Sequence, residues 1–362
     1  KIFCRMGVCA GKENKSVDYE LYNFSKPDFE SLKKTYQRIS NFKAKYLMRK
    51  TIGKKGLQHE FPENEEFAAK LHKWMLRNSE GEVVTFDSFV KSVDKLVHDP
   101  SEKVAKDSTA HVLDILETTA LISNERNLSY RDDIQKITLT YSQGLRLMKE
   151  ILQSFRYAKG DRCNDLAAKV IVNSIFTGTD SKIIDFNNFI FNLQKQFPFL
   201  NHFLKTYYSS KFLFKEMRLE LAIPALDSYS AILDEDFIAL FMLTSKYFHT
   251  PDKLNRLYSM SRNGSSFSEL ALAIKGYEGP TLILVKHVER ENGSPRGSNN
   301  ASTYILGGFA STSWQDDLHY HGNADSFVFS MIPNFKKFSP IENGGNQNCM
   351  YLNTKTVNNS LV

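Results

Sequence analysis

The sequence predicts an α+β protein: a long all-helical N-terminal region followed by an antiparallel, β-rich C-terminal module. Three observations lead there. Apolar residues recur at helical spacing from residue 25 to about 250, with Pro and Gly held mostly to the edges of the stretches. After about residue 250 the texture changes to short apolar or alternating runs separated by turn-forming residues. The composition, 41% apolar and 24% charged with 27 Phe and 16 Tyr, fills an ordinary core rich in aromatic packing. The segments divide as 1–24, 25–250 and 251–362.

Residues 1–24 read as a flexible lead of Gly, Asn and mixed charges. Ser25-Lys26-Pro27-Asp28 then reads as a helix start, with Ser25 as cap, Pro27 in the first turn and Asp28 facing the helix dipole. Phe29, Leu32, Tyr36 and Ile39 follow at helical spacing, and Phe67, Leu71, Trp74 and Met75 make another apolar face. Val112, Leu113, Ile115 and Leu116 belong to a third stretch, and Leu145, Leu147, Ile151 and Leu152 to a fourth. The run Phe237 to Phe248 is too short for a membrane span, is broken at Thr244-Ser245-Lys246, and reads as a buried core helix.

Two places in the helical region repeat one local design. Val84-Thr85-Phe86-Asp87-Ser88-Phe89 and Ile184-Asp185-Phe186-Asn187-Asn188-Phe189 each place an apolar residue, a polar one, then Phe-x-x-Phe opening a helix. The second half of an EF-hand reads this way, with a short β-bridge before the exiting helix. The calcium chemistry is missing. With Ile184 at loop position 8, the second loop offers Thr177, Thr179, Ser181, Lys182 and Asn188, so a lysine replaces the turn glycine and an amide replaces the bidentate glutamate. The first loop runs from Arg77 to Ser88. Both read as EF-hand-like packing units without the ion.

Charge is unevenly spread. Residues 1–60 hold 14 Lys/Arg and 6 Asp/Glu, a net +8, so the other 302 residues sum to −2 against the whole chain's +6. A basic front end suits a membrane surface or an acidic protein, or is simply a solvated helix face. No zinc finger or RNA-binding signature accompanies it, and no nucleic-acid partner is expected. The four cysteines, Cys4, Cys9, Cys163 and Cys349, make neither a disulfide scaffold nor a zinc knuckle; Cys163 and Cys349 read as reduced thiols of a cytosolic setting.

The first methionine is Met6, followed by Gly7-Val8-Cys9-Ala10-Gly11. Were Met6 the start, Gly7 would fit a relaxed N-myristoylation pattern, whose stricter form has Ser or Thr where Gly11 stands. Cys9 would lie within reach of palmitoylation, and Lys12 and Lys15 would add charge, because one acyl chain alone anchors only marginally. The other reading keeps Lys1 to Arg5 as genuine residues and leaves Gly7 internal.

In the C-terminal module, Thr281 to Val285, Tyr304 to Ser311, Asp325 to Ile332 and a run from Met350 read as strands. Residues 289–303 form a polar loop. The stretch Arg256-Leu257-Tyr258-Ser259-Met260-Ser261-Arg262-Asn263-Gly264, then Ser266-Phe267-Ser268, resembles the opening helix and turn of the TLDc domain family. Gly279-Pro280-Thr281-Leu282 resembles its first core strand, and Gly307-Gly308-Phe309-Ala310-Ser311 followed by Trp314 its most recognisable one. Phe327-Val328-Phe329 and Met350-Tyr351-Leu352 fall where later strands of the family stand. With the helices in front, the chain resembles the lysosome-associated, MTOR-linked branch of that family, in which a Met-Gly lipidation signal precedes the helices.

The resemblance implies a β-sandwich-type fold, binding to the vacuolar proton pump (V-ATPase), a link to oxidative-stress resistance, and no enzymatic activity. It also implies a Gly-rich loop, a Gly-Leu-Trp strand and a closing Glu-Val-Trp strand. The sequence ends at Val362 without them, so the domain is expected to be incomplete here. A scaffold that binds through residues 20–250, unrelated to the pump, is the second reading. An antioxidant enzyme is the third, with no CxxC, haem or flavin motif to support it.

Residues that resemble catalytic groups read blandly. His319 and His321 would share a strand face, but two ligands make a weak metal site. Ser311, His321 and Asp325 lack a nucleophile elbow. Gly307-Gly308 lies within a strand and marks a bulge or close approach, not a phosphate loop. Asp316-Asp317 reads as a turn. Phe309 is expected in the core, and Trp314 is the candidate interface residue. No cofactor or metal is expected. Titration of the chain with Ca²⁺ is expected to give no saturable heat or spectral change below roughly 1 mM, weaker than sensor EF-hands.

Overall fold

The computed structural model describes residues 24–41, 51–79, 83–98, 114–125, 136–155, 165–177, 182–214, 223–290, 301–340 and 348–354. Helix α1 (Lys26–Ser40) starts where the sequence places it: Ser25 accepts a hydrogen bond from the Asp28 amide at 3.3 Å, and Phe29, Leu32, Tyr36 and Ile39 are buried on one face. Helices α2 (Lys54–Glu60), α3 (Glu65–Arg77) and α4 (Phe86–Val97) follow, then α5 (Ile115–Ser123) and α6 (Tyr141–Ser154). Next come α7 (Asp165–Phe176), α8 (Phe186–Gln196), α9 (Leu200–Leu213) and α10 (Glu235–Thr244). Side chains satisfy free amides at several of their starts. Asn64 caps α3, and Asp114 and Thr140 form reciprocal capping boxes with Glu117 and Gln143.

The two repeated sequence patterns occupy equivalent places. Val84 bridges antiparallel to Ile52, whose amide donates to Val84 O at 3.2 Å. Ile184 lies in strand β2 (Ile183–Asp185), which pairs antiparallel with β1 (Thr138–Thr140) so that Leu139 faces Ile184. A helix begins within two residues of each of these four positions: α2 after Ile52, α4 after Val84, α6 after Leu139 and α8 after Ile184. Two helix-entry loops are thus tied in each pair.

Helix α9 is the axle of the helical region. Phe203, Tyr207, Tyr208 and Phe212 are buried along it. Phe203 stacks on Phe155 with centroids 3.8 Å apart, while Phe212 meets Phe61 and Phe89 at 5.7 Å each. Charge is buried here too. The Lys211 ammonium lies 2.8 Å from a Glu63 carboxylate oxygen, each side chain only 2% exposed, and also donates to Glu60 O at 3.0 Å. The Tyr207 hydroxyl donates to the same Glu63 oxygen. Burial and the Glu63 charge push the Tyr207 hydroxyl well above its usual range, and burial draws Lys211 below its own despite the Glu63 charge. A second buried pair joins Lys70 of α3 to Glu150 of α6, and burial lifts the Glu150 carboxyl above the usual carboxylate range.

The C-terminal part holds β3 (Ala225–Leu226), parallel to β4 (Lys253–Leu254), then the short α11 (Met260–Asn263) and α12 (Phe267–Ile274). Strands β5 (Thr281–Arg290), β6 (Ala301–Ala310), β7 (Phe327–Ile332) and β8 (Lys336–Phe338) form one antiparallel sheet in that order. β5 is an edge strand, with Lys286 opposite Ile305. The sheet's inner face presents Phe309, Phe327, Phe329 and Met331 to the helices. Phe329 meets Phe241 of α10 at 4.9 Å, and Phe309 meets Phe248, in the turn after α10, at 5.2 Å. Phe335, in the β7–β8 turn, is wholly buried against Phe197, and its amide donates to Val170 O of α7 at 3.0 Å.

Several expectations shift in detail. The polar loop predicted over 289–303 is shorter, because β5 runs to Arg290 and β6 begins at Ala301. The fourth strand is Lys336–Phe338; Met350 and Leu352 instead make single bridges, to His321 and Asp316. No second sheet stands opposite the first among the described residues, because helices cover the inner face. Gly7 and Cys9 lie outside the described residues.

Replacing Lys211 with Met is expected to cost about 3–5 kcal/mol in urea unfolding, because Glu63 is left buried without its cation. The double variant Lys211→Met/Glu63→Leu should recover most of that loss.

Candidate functional site

Strand alternation that buries Phe309, Phe327 and Phe329 turns their neighbours to the other side of the sheet. On that outer face Val285, Leu306, Val328 and Phe338 are each between 53% and 59% exposed, an apolar patch on one open surface. The patch leads into a groove of about 470 Å³ whose lining includes Ile283, Gly308, Trp314, Val328, Phe338 and Met350.

The groove is framed by two segments. Trp314 is half-buried; its indole N–H donates to Thr281 Oγ1 at 2.8 Å, and its ring meets His321 edge-on at 6.2 Å. The segment 348–354 runs along the rim. His321 and Met350 exchange backbone hydrogen bonds of 2.9 and 2.8 Å, and the Asp317 amide donates to Leu352 O at 3.2 Å. Asp316 fastens this rim. Its carboxylate accepts from Lys275, just after α12, at 2.7 Å and from the Thr354 amide and hydroxyl at 2.9 and 2.7 Å. The Lys275 hydrogen bond, with those from Thr354, holds the carboxyl far below the usual carboxylate range.

The glycines of the central strand do different work. A Cβ on Gly307 would stand 2.4 Å from both Ile283 O and the Phe329 ring, so the ring packs directly over that backbone. A Cβ on Gly308 would meet nothing nearer than 3.8 Å and would point into the groove. Of the bulge and the close approach read for these glycines, Gly307 shows the close approach; the strand's register shift lies between Ile305 and Leu306 instead. Gly279, just before β5, lies under the Tyr277 ring, and Pro280 precedes the first strand residue, where no amide is required. Ala310 ends the strand and Ser311 follows it, both buried.

The catalytic look-alikes are engaged elsewhere. Ser311 Oγ lies 3.0 Å from Ser326 Oγ and donates to Asn323. His321 Nε2 accepts from the Gln315 amide at 3.1 Å, and Asp325 accepts from Tyr247 at 3.0 Å. His319 is exposed and His321 buried, so they do not share the strand face that their spacing suggests. Among the described residues no group of three or more His, Cys, Asp or Glu is placed to hold a metal. The site's charged fastening, Asp316 with Lys275, was missed in the sequence because its partners are 41 and 38 residues away. The outer-face residues were legible as the other half of each strand's alternation.

Residues 226–361, which contain this sheet and its framing segments, match the TLDc domain family. The chain is homologous to curated proteins named MTOR-associated protein MEAK7. It is 30% identical over 138 residues to that of Danio rerio, a stretch covering 38% of this chain and 24% of the relative. It is 33% identical over 97 residues to that of Mus musculus, covering 27% of this chain and 18% of the relative. The matched stretch therefore spans a quarter or less of these relatives' length.

Gly307→Ala is expected to destabilise the domain by about 1–3 kcal/mol through overpacking. Gly308→Ala should be neutral or stabilising by about 0.5–1 kcal/mol, since it trades strand-glycine entropy for a methyl in open space. Paired thermal melts of the two variants check this.

Proposed function

We propose that this chain is a non-enzymatic binding protein that docks through its TLDc domain on the V-ATPase, within MTOR-linked signalling at the lysosome. The observation that carries a docking role is the outer face of the sheet, an apolar groove bounded by Trp314 on a domain whose other face is committed to the helices. The MTOR link is supported by the similar proteins, which are named as MTOR-associated. The pump and oxidative-stress resistance are supported by the family resemblance. Membrane attachment would come from acylation at Gly7 and Cys9, aided by the basic residues of 1–60. No helix among the described residues is long and apolar enough to cross a membrane, so attachment in this reading is peripheral.

A second reading rests on the helical region. Its paired helix-entry loops, joined through Ile52 with Val84 and Leu139 with Ile184, support EF-hand-like units that serve as a protein-binding scaffold without calcium.

Affinity purification from cells separates the two, with a bait beginning at Met6 beside a Gly7→Ala twin. Enrichment of V-ATPase subunits by the first and their loss from the twin is the expected result. Absence of pump subunits from both, with other partners captured by residues 20–250 alone, would favour the scaffold.

A further inference from the structure

The turn between β7 and β8 reaches out of the sheet and touches α7 and the residue that follows it at three points. The Phe335 amide donates to Val170 O at 3.0 Å, Asn334 Nδ2 donates to Thr177 Oγ1 at 3.3 Å, and Asn173 Nδ2 faces Pro333 O at 3.5 Å. Asn173 is held from its other side. Its Oδ1 accepts from the Tyr141 hydroxyl at 2.7 Å, and Tyr141 opens α6 directly after β1. The Tyr141 amide in turn donates to Lys182 O at 3.0 Å, next to β2, and its ring meets Phe176 at 5.6 Å. Thr177 also donates to Asn173 O at 2.6 Å. A continuous chain of contacts therefore runs from the paired loops of the helical region to the sheet.

The far end of that chain is the groove. β8 pairs with β7 through Val328 opposite Phe338, and both side chains line it. β8 is three residues long and among the described residues pairs with β7 alone, so beyond that pairing the turn before it joins it to the helical region.

We propose that the β7–β8 turn is a latch: the Tyr141–Asn173 link sets the position of the turn, and through it the helical region holds one wall of the groove in place. A change at the paired loops would then alter the groove without any contact between them. Physical contiguity supplies the route, and the turn is the element whose two positions, docked or released, both ends would bias.

Two side-chain changes separate this latch from simple packing of Phe335. Tyr141→Phe removes only a hydroxyl, inside the helical region and away from the sheet. Asn173→Ala removes the link itself, and Ser174→Ala on the same helix serves as control. Amide hydrogen exchange of the 362-residue chain is followed at Phe335, at Lys336 to Phe338, and at Tyr207 in α9 as a reference. Both Tyr141→Phe and Asn173→Ala should speed exchange at Phe335 and across β8 by about three- to tenfold, the effect of one hydrogen bond on a local opening, with Tyr207 and the Ser174→Ala control unchanged. Unchanged exchange at Phe335 in Tyr141→Phe would overturn the proposal, as would equal acceleration at Phe335 and Tyr207, because either means that the turn is not separately governed by Tyr141.

Discussion

The aromatic seam between Phe197, Phe241, Phe329 and Phe335 is the contact on which the architecture depends. A four-stranded sheet with one apolar face is not stable alone; it must bury that face on something. Here the partner is α10, the turn that follows it and the end of α8, so the helical region stands where a second sheet would otherwise be needed. The same seam explains Gly307. The Phe329 ring lies on the glycine's bare backbone, which brings the sheet's centre close to Phe241. Once the inner face is committed in this way, the alternation of each strand leaves the opposite side chains no choice but the outer surface, and the groove follows from the seam.

Buried charge gives the helical region a different kind of order. Aromatic packing tolerates sliding, whereas a buried lysine is satisfied only where its acceptors are. Lys211 fixes α9 against the segment carrying Glu60 and Glu63, and Lys70 fixes α3 against α6. Such pairs add little net stability compared with apolar replacements, but they specify register. That suits a bundle whose helices are joined by short bridges and whose loops must meet in pairs.

Helix starts, the core faces of the helices and the first three strands of the sheet were legible in the sequence because they depend on local chemistry, whereas Lys336–Phe338 was not read as a strand. Ser25 with Pro27 and Asp28, and Thr85 and Asp185 before their Phe-x-x-Phe runs, needed no knowledge of distant residues. The two repeated patterns were visible at Val84 and Ile184, but not at Ile52 and Leu139, which lack the flanking phenylalanines that made the others stand out. What pairs across long separations was hidden: Asp316 with Lys275 and Thr354, Lys211 with Glu63, and Phe335 with Val170. The candidate site divided along the same line. Trp314, Gly307 and Gly308 came from a family pattern, while the groove's walls required the sheet's register and its choice of inner face. The spacing of His319 and His321 misled because it assumed a strand where the chain bends.

The edge strand β5 is ten residues long, with its outer backbone groups unpaired by any strand among the described residues. Such an edge invites another copy to add on, strand to strand, and to propagate into aggregates. Lys286 stands opposite Ile305 and is exposed at this edge, so a strand added there would have to accommodate an ammonium group beside its own side chains. A charge at such an edge disfavours strand-to-strand addition, an effect that would not register in the stability of the isolated molecule.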